Sequence, residues 1–185
     1  MLSDFKYRLA QMESGGNYQA VNPSSGALGK YQFMPTTLNS LQSLYNLPHW
    51  FSSNEFLNHP ELQEIYFDSH IQDLTSFIDN NGLRINEGSL VRGSMRFSRI
   101  NVPVTFYGLL GGAHLAGTGN LKRFFETGYD PNDGQTSLSD YIAYFSKGVP
   151  GVNYDPVFAG GATAGGYLLP VVVLAFISII VLYYD

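Results

Sequence analysis

The sequence predicts a mainly α domain over residues 1–150, then a Gly/Ala-rich linker over 151–166 and a single transmembrane helix over 167–184. Three observations predict this order. Apolar residues recur at spacings of three and four along most of the first 147 positions, the period of amphipathic helices. No convincing run of alternating strand residues accompanies them. The apolar excess is also local: 44% of the 185 residues are hydrophobic, but 16 of the 18 from Tyr167 to Tyr184 are.

The elements follow in chain order. Leu2, Phe5, Leu9 and Met12 form one helical stripe, and the Gly15-Gly16 pair supplies its stop, which puts Glu13 in the last turn. After the break at Pro35, residues 36–45 align Leu38, Leu41 and Tyr45 on one face. A longer helix is predicted from Pro60 to Asn80, with Leu62, Ile65, Tyr66, Ile71, Leu74 and Ile78 in phase. Arg84 to Val104 is ambiguous, with a short hairpin expected near residues 83–91. Thr105 to Phe125 reads as helical on both sides of Gly117-Thr118-Gly119, and Leu138 to Phe145 gives a last helix. Beyond Asp155 no charge occurs until Asp185, and the 18 residues from Tyr167 would extend about 27 Å as a helix, nearly a bilayer core. Pro170 falls in its first turn and tyrosines bracket it, as at membrane interfaces. A buried core helix is the competing reading of this stretch, and uncharged, all-round apolar faces of this length suit lipid better.

Composition excludes several classes. Ten Lys plus Arg against fifteen Asp plus Glu give a net charge of −5, the wrong sign for a protein that binds nucleic acid through its phosphates. Without cysteine there is no disulfide framework, thiolate zinc site or thiol nucleophile. The four histidines, at 49, 59, 70 and 114, show no metal-ligand spacing, so neither a metal nor another cofactor is expected. The first eight residues include the charged Asp4, Lys6 and Arg8 and lack the apolar core of an export signal. Arg84, Arg92, Arg96 and Arg99 form a basic segment opposed only by Glu87; it reads as a solvated loop, or as a contact to anionic glycan, lipid headgroups or an acidic protein.

Glu13 is notable for its place. A carboxyl group at a helix C-terminus faces the negative end of the helix dipole, which favours carrying a proton and suits a general acid. Taken alone, such a glutamate is usually a solvated surface residue. Its context is Glu13-Ser14-Gly15-Gly16-Asn17-Tyr18, then Gly26-Ala27-Leu28-Gly29-Lys30-Tyr31-Gln32-Phe33-Met34-Pro35, later Gly111-Gly112-Ala113-His114-Leu115-Ala116-Gly117, and finally Thr136-Ser137-Leu138-Ser139-Asp140-Tyr141. Over about residues 1–147 this ordered set resembles the soluble lytic transglycosylase family of the lysozyme-like superfamily. The family's A-Y-N-x-G stands here as A-H-L-A-G, a departure that puts His114 at the tyrosine position and Leu115 at the asparagine position.

The resemblance implies a lysozyme-like fold with Glu13 as the catalytic acid/base and Ser14 as its polar neighbour. It implies that Gln32 binds glycan near the scissile bond, that Phe33 and Met34 line the cleft, and that Tyr141 points toward Glu13. His114 would contact substrate or pack in the core. The implied reaction is cleavage of the β-1,4 bond between N-acetylmuramic acid and N-acetylglucosamine in peptidoglycan, closing a 1,6-anhydro ring without water. A goose-type lysozyme would instead need a second carboxylate, for which Asp68, Asp73, Asp130 and Asp133 are the candidates. An inactive membrane-anchored scaffold is the third reading. A wall-cleaving domain joined to a bilayer anchor suggests a bacteriophage virion protein in an internal viral membrane. Its expected partners are glycan strands, the lipid bilayer and capsid or other virion membrane proteins.

Overall fold

The fold begins with a helix that its own sequence terminates. In the computed structural model, which describes residues 2–50, 52–93, 101–132 and 136–147, α1 runs Leu2–Ser14 and buries Phe5, Leu9 and Ala10. Gly15 and Gly16 follow with φ of 66° and 80°, a left-handed turn that costs glycine little. Their N–H groups close on the carbonyls of Gln11 and Ala10, satisfying the helix end. Leu2, at the head of the expected stripe, is 44% exposed because the first turn projects past the core.

The remaining elements are α2 (Pro35–Tyr45), α3 (Ser53–Asn58), α4 (Pro60–Asn80), a 3-10 turn (Leu83–Asn86), β1 (Leu90–Arg92), β2 (Asn101–Pro103), α5 (Phe106–Ala116), α6 (Thr118–Thr127) and α7 (Leu138–Ser146). The domain is thus mainly helical. The sequence gives no periodic signal for α3, but Ser52 caps it by accepting the Glu55 N–H at 3.2 Å, and the Ser-x-x-Glu spacing there is a start signal. Prolines occupy the first turns of α2 and α4, where no N–H is needed. On α4 the inner face is Leu62, Tyr66, Phe67, His70, Ile71, Leu74 and Ile78. Ile65 lies off that face and stays exposed, contrary to its expected place in the core.

The hairpin expected at residues 83–91 does not form there. Residues 83–86 instead make the 3-10 turn, and β1 pairs antiparallel with β2, Val91 opposite Val102. Both valines are buried, so each short strand gives its one inward side chain to the core. Pairing with partners nine to thirteen residues on leaves no two-residue turn signature for a sequence reading to find.

The contact that sets the site is α5 on α7. A Cβ on Gly108 would lie 2.0 Å from Ser146 Oγ, one on Gly111 2.2 Å from Phe145 Cδ2, and one on Gly112 2.8 Å from side-chain carbons of Ile142 and Leu138. The three glycines therefore let the helix backbones approach more closely than any larger residue would allow. Reciprocal hydrogen bonds between Ser137 and Asp140 start α7, and Asp130 accepts from both the N–H and the hydroxyl of Ser139. At its other end Arg8 of α1 donates to the Lys147 carbonyl at 2.7 Å and to that of Tyr144.

The expectations for the linker 151–166 and the transmembrane helix 167–184 lie outside the described residues, and among the described residues no helix is long and apolar enough to cross a membrane. Gly111→Ala is expected to destabilise the domain by about 1–3 kcal/mol through overpacking. Gly119→Ala on α6, where a Cβ meets nothing within 4 Å, should be neutral or stabilising. Thermal unfolding of both variants checks this; equal shifts would contradict the packing account.

Candidate active site

The left-handed stop after α1 ends the helix at the point where Glu13 emerges, its side chain 15% exposed. Tyr141, one turn into α7, donates its phenol to Glu13 Oε1 at 2.8 Å, across 128 residues of sequence. His114, in the last turn of α5, brings Nε2 to 3.8 Å from the same oxygen. No hydrogen bond among the described residues reaches Glu13 Oε2. Three helices thus meet at one carboxyl group, which two side chains approach at one oxygen.

Behind His114 stands His70 of α4, its Nε2 3.2 Å from His114 Nδ1. Burial drives both imidazoles below their ordinary range. At His70 the neighbouring His114 adds to the effect, whereas at His114 the Glu13 charge and a hydrogen bond with the Tyr31 backbone oppose it. The two histidines also line a cavity of about 190 Å³ with Thr37, Ser40, Asp73 and Thr118, which opens between α2, α4 and the α5–α6 junction.

The segment from 18 to 34 brings the other sequence-predicted residues together. Val21, Leu28 and Phe33 pair through two isolated antiparallel bridges, and Gln32 takes φ 50° in the intervening turn. A left-handed non-glycine costs roughly 1–2 kcal/mol. The Gln32 amide donates to the Gly29 carbonyl at 2.9 Å, which fixes the side chain in this half-buried position. Met34 is 40% exposed beside it. Phe33 differs from its expected place in the cleft wall: it is 2% exposed and packs on the edges of His70 and His114, supporting the site from beneath. The Ser14 hydroxyl is likewise engaged internally, donating to the Lys30 carbonyl at 2.8 Å and accepting the Asn17 N–H at 3.0 Å. It ties the end of α1 to the loop.

Comparison with known proteins adds an independent observation. Residues 3–82 match the family model described as Transglycosylase SLT domain. "Probable transglycosylase SceD" of Staphylococcus aureus strain bovine RF122 is 55% identical over 40 residues, 22% of this chain and 17% of that protein. The protein of the same description from strain Newman is 62% identical over 34 residues, 18% and 15% of the two chains. This chain therefore spans only a small part of the curated relatives it matches. Among solved structures, the 70 kDa soluble lytic transglycosylase of Escherichia coli aligns with a TM-score of 0.46 and 20% identity, over 66% of this chain and 15% of that one. Glu13, Ser14, Gln32, Phe33 and Met34 fall within the matched SLT residues, whereas His114 and Tyr141 lie beyond them.

Two residues that the sequence reading passed over hold the matched segment in shape. Gln63, wholly buried on α4, accepts the Lys30 N–H at 2.8 Å and donates to the carbonyls of Tyr18 and Phe56. Gly29, at φ 75°, lies so close that a Cβ there would sit 2.2 Å from Gln63 Oε1. Next to it, Glu64 accepts from Lys30 at 2.7 Å and from Tyr18 and Tyr31 at 2.9 Å, and pairs with Lys6 at 3.0 Å. Burial alone would raise the Glu64 carboxyl, but hydrogen bonds from Lys30, Lys6 and the two tyrosines outweigh it and hold the group at about 2. A polar pair in the middle of an amphipathic helix gives no sequence signal, because all its partners except Phe56 are 33 to 58 positions away.

The other carboxylates separate by role. Asp68 pairs with Lys6 and Asp130 anchors Ser139, while Asp73 accepts the Tyr45 hydroxyl at 3.4 Å and faces the cavity. Asp133 lies outside the described residues. Arg84 of the basic segment is neutralised by Asp79 and Glu87, Arg92 is exposed, and Arg96 and Arg99 lie outside the described residues. Among the described residues no group of three or more His, Asp or Glu side chains could hold a metal ion.

A carboxylate held low in the folded state contributes stability that is present above its unfolded value near 4.5 and is lost as pH falls toward about 2. Glu64→Gln should therefore cost about 1–3 kcal/mol at pH 7. The gap between the two chains should close as pH drops from about 4.5 to 2. Melting curves across that range decide the point, since the loss imposed by burying neutral His70 begins below its ordinary value of 6.5 and is common to both chains.

Proposed function

We propose that this chain is a peptidoglycan lytic transglycosylase that uses Glu13 as its single acid/base. The observation that carries the reading is the state of that carboxyl group: little exposed, engaged by Tyr141 at Oε1, and without a hydrogen bond among the described residues at Oε2. A general acid needs one oxygen fixed and the other free to meet the leaving group. The SLT match over residues 3–82 supports the same chemistry.

In this reading Glu13 gives its proton to the glycosidic oxygen, the bond from C1 of N-acetylmuramic acid to that oxygen breaks, and N-acetylglucosamine departs as an alcohol. The N-acetyl carbonyl of the muramic sugar carries the charge that develops at C1. Glu13, now a carboxylate, then takes the proton of the C6 hydroxyl, and O6 closes on C1 to form the 1,6-anhydro product. No water is consumed. Gln32 and Met34 would contact glycan beside the scissile bond, and the cavity with Thr37, Ser40 and Thr118 offers hydroxyls to a sugar ring.

A hydrolytic reading has one observation in its favour, the carboxylate of Asp73 in the cavity wall near His114. Digesting purified peptidoglycan with the full chain, and identifying products by mass, separates the two. Anhydro-muropeptides are expected from the native chain and from Asp73→Asn, with none from Glu13→Gln. Reducing-end products that depend on Asp73 would make the chain a lysozyme, and no product from a folded native chain would make it a scaffold.

We further propose that residues 167–184 anchor the domain in a bilayer and that the anchored enzyme belongs to a bacteriophage virion, where it opens the wall locally. The apolar run of 16 in 18 residues supports the anchor, and a wall-cleaving domain tethered to lipid suits penetration from a viral membrane. Immunodetection is expected to find the chain in the membrane fraction of purified virions; finding it in uninfected cells would assign it to a bacterial inner membrane instead.

A further inference from the structure

Beyond Glu13 and Tyr141, the site contains two buried histidines in contact, at 3.2 Å, for which the single-carboxyl mechanism has no role. Their protons can be assigned from their surroundings. His70 Nδ1 is buried with no hydrogen-bond partner among the described residues, and its Nε2 faces His114 Nδ1. Only one of these two facing nitrogens can carry the proton of the bond.

If His114 Nδ1 carried it, His70 would have to place its own proton on the buried, partnerless Nδ1. His114 would at the same time turn the lone pair of Nε2 toward Glu13 Oε1, 3.8 Å away. A buried N–H without an acceptor and a lone pair set against a carboxyl oxygen are both unfavourable. The opposite assignment avoids both. His70 Nε2–H donates to His114 Nδ1, the His70 Nδ1 left bare is an acceptor only, and the one N–H of His114, at Nε2, serves the Tyr31 backbone while facing Glu13.

We propose that His70 and His114 form a relay of fixed tautomers that, together with Tyr141, reserves Glu13 Oε1 as an acceptor and so keeps the transferable proton on Oε2. This rests on the acid/base reading of Glu13. The Tyr141 hydroxyl then hydrogen-bonds Oε1 at 2.8 Å, the His114 N–H stands 3.8 Å from the same oxygen as a favourable dipole rather than a hydrogen bond, and the acidic proton occupies Oε2, which no hydrogen bond among the described residues reaches. Burial, which holds both imidazoles neutral, maintains the relay as a chain of neutral donors. His70 is a positioning residue, because it acts on Glu13 only through His114. Phe33 and Phe67 pack on His114 with ring centroids 6.4 and 6.5 Å away, and fix the ring plane.

The test uses the full chain labelled with ¹⁵N-histidine, in which only four imidazoles have to be assigned. Long-range proton–nitrogen spectra are expected to show His70 and His114 neutral at pH 7, each with its proton on Nε2. His70→Phe, close in shape but without a donor, should release His114 into a mixture of tautomers. It should also lower kcat on peptidoglycan about tenfold or more while KM changes less than about twofold. His70→Gln, whose amide nitrogen can replace Nε2–H, should restore the His114 tautomer and recover most of kcat. A proton on His114 Nδ1 in the native chain overturns the proposal. So does a His70→Phe chain with native tautomer and native kcat, or a folded His70→Gln chain as slow as His70→Phe. A native chain that makes no anhydro-muropeptide would instead remove the transglycosylase reading, while the tautomer spectra still decide the relay.

Discussion

Everything at the site depends on how closely α5 lies on α7. Glu13 is fixed by α1, but the two side chains that approach it come from the other end of the sequence, His114 from α5 and Tyr141 from α7. They converge because Gly108, Gly111 and Gly112 present no Cβ to Ser146, Phe145 and Ile142. Glycine is unfavourable inside a helix by up to about 1 kcal/mol each relative to alanine. Three of them in α5 are a local cost offset by the burial of Leu138, Ile142 and Phe145 against that face, and by the precision with which a phenol can reach a carboxylate 128 positions away.

The other half of the site is held by buried polar groups. The 18–34 segment contains little regular structure, so its backbone donors and acceptors need partners from elsewhere. Gln63 supplies two of these bonds, to the Lys30 N–H and the Tyr18 carbonyl, and ties them to α3 through the Phe56 carbonyl, while Glu64 gathers Lys6, Lys30, Tyr18 and Tyr31 around one carboxylate. Such networks specify one arrangement because a partly satisfied version would be worse than none. The left-handed Gln32 can persist only in a loop held in this way, with Gly29 on one side of the turn and the Leu28–Phe33 pairing closing it.

Much of this was legible in advance, and the misses have two causes. The stripe Phe5, Leu9, the double glycine and the placing of Glu13 in a last turn are local features, and helix period and capping follow local rules. The α3 helix had a readable cap at Ser52 but only six residues, too short for periodicity. The hairpin was expected near residues 83–91, ahead of the observed pair, because β1 and β2 are not joined by a two-residue turn. Phe33 and Ser14 illustrate a different limit. Both belong to the motif that marks the site, yet one packs under it and the other latches the loop, since a motif records that a residue type is needed and not whether the need is contact or support.

By itself the sequence determined the mainly helical class, the glutamate at a helix end, the SLT-like loop that follows it and the strongly apolar run at 167–184, because each is written in neighbouring residues. Only the tertiary structure decided which oxygen of Glu13 is held, that His114 lies between Glu13 and His70, that Phe33 is core, and that Gln63 and Glu64 organise the loop. These are meetings of side chains tens of residues apart. They are fixed by the separation of packed helices and by the strong tendency of buried polar atoms to find partners, neither of which has a period along the chain.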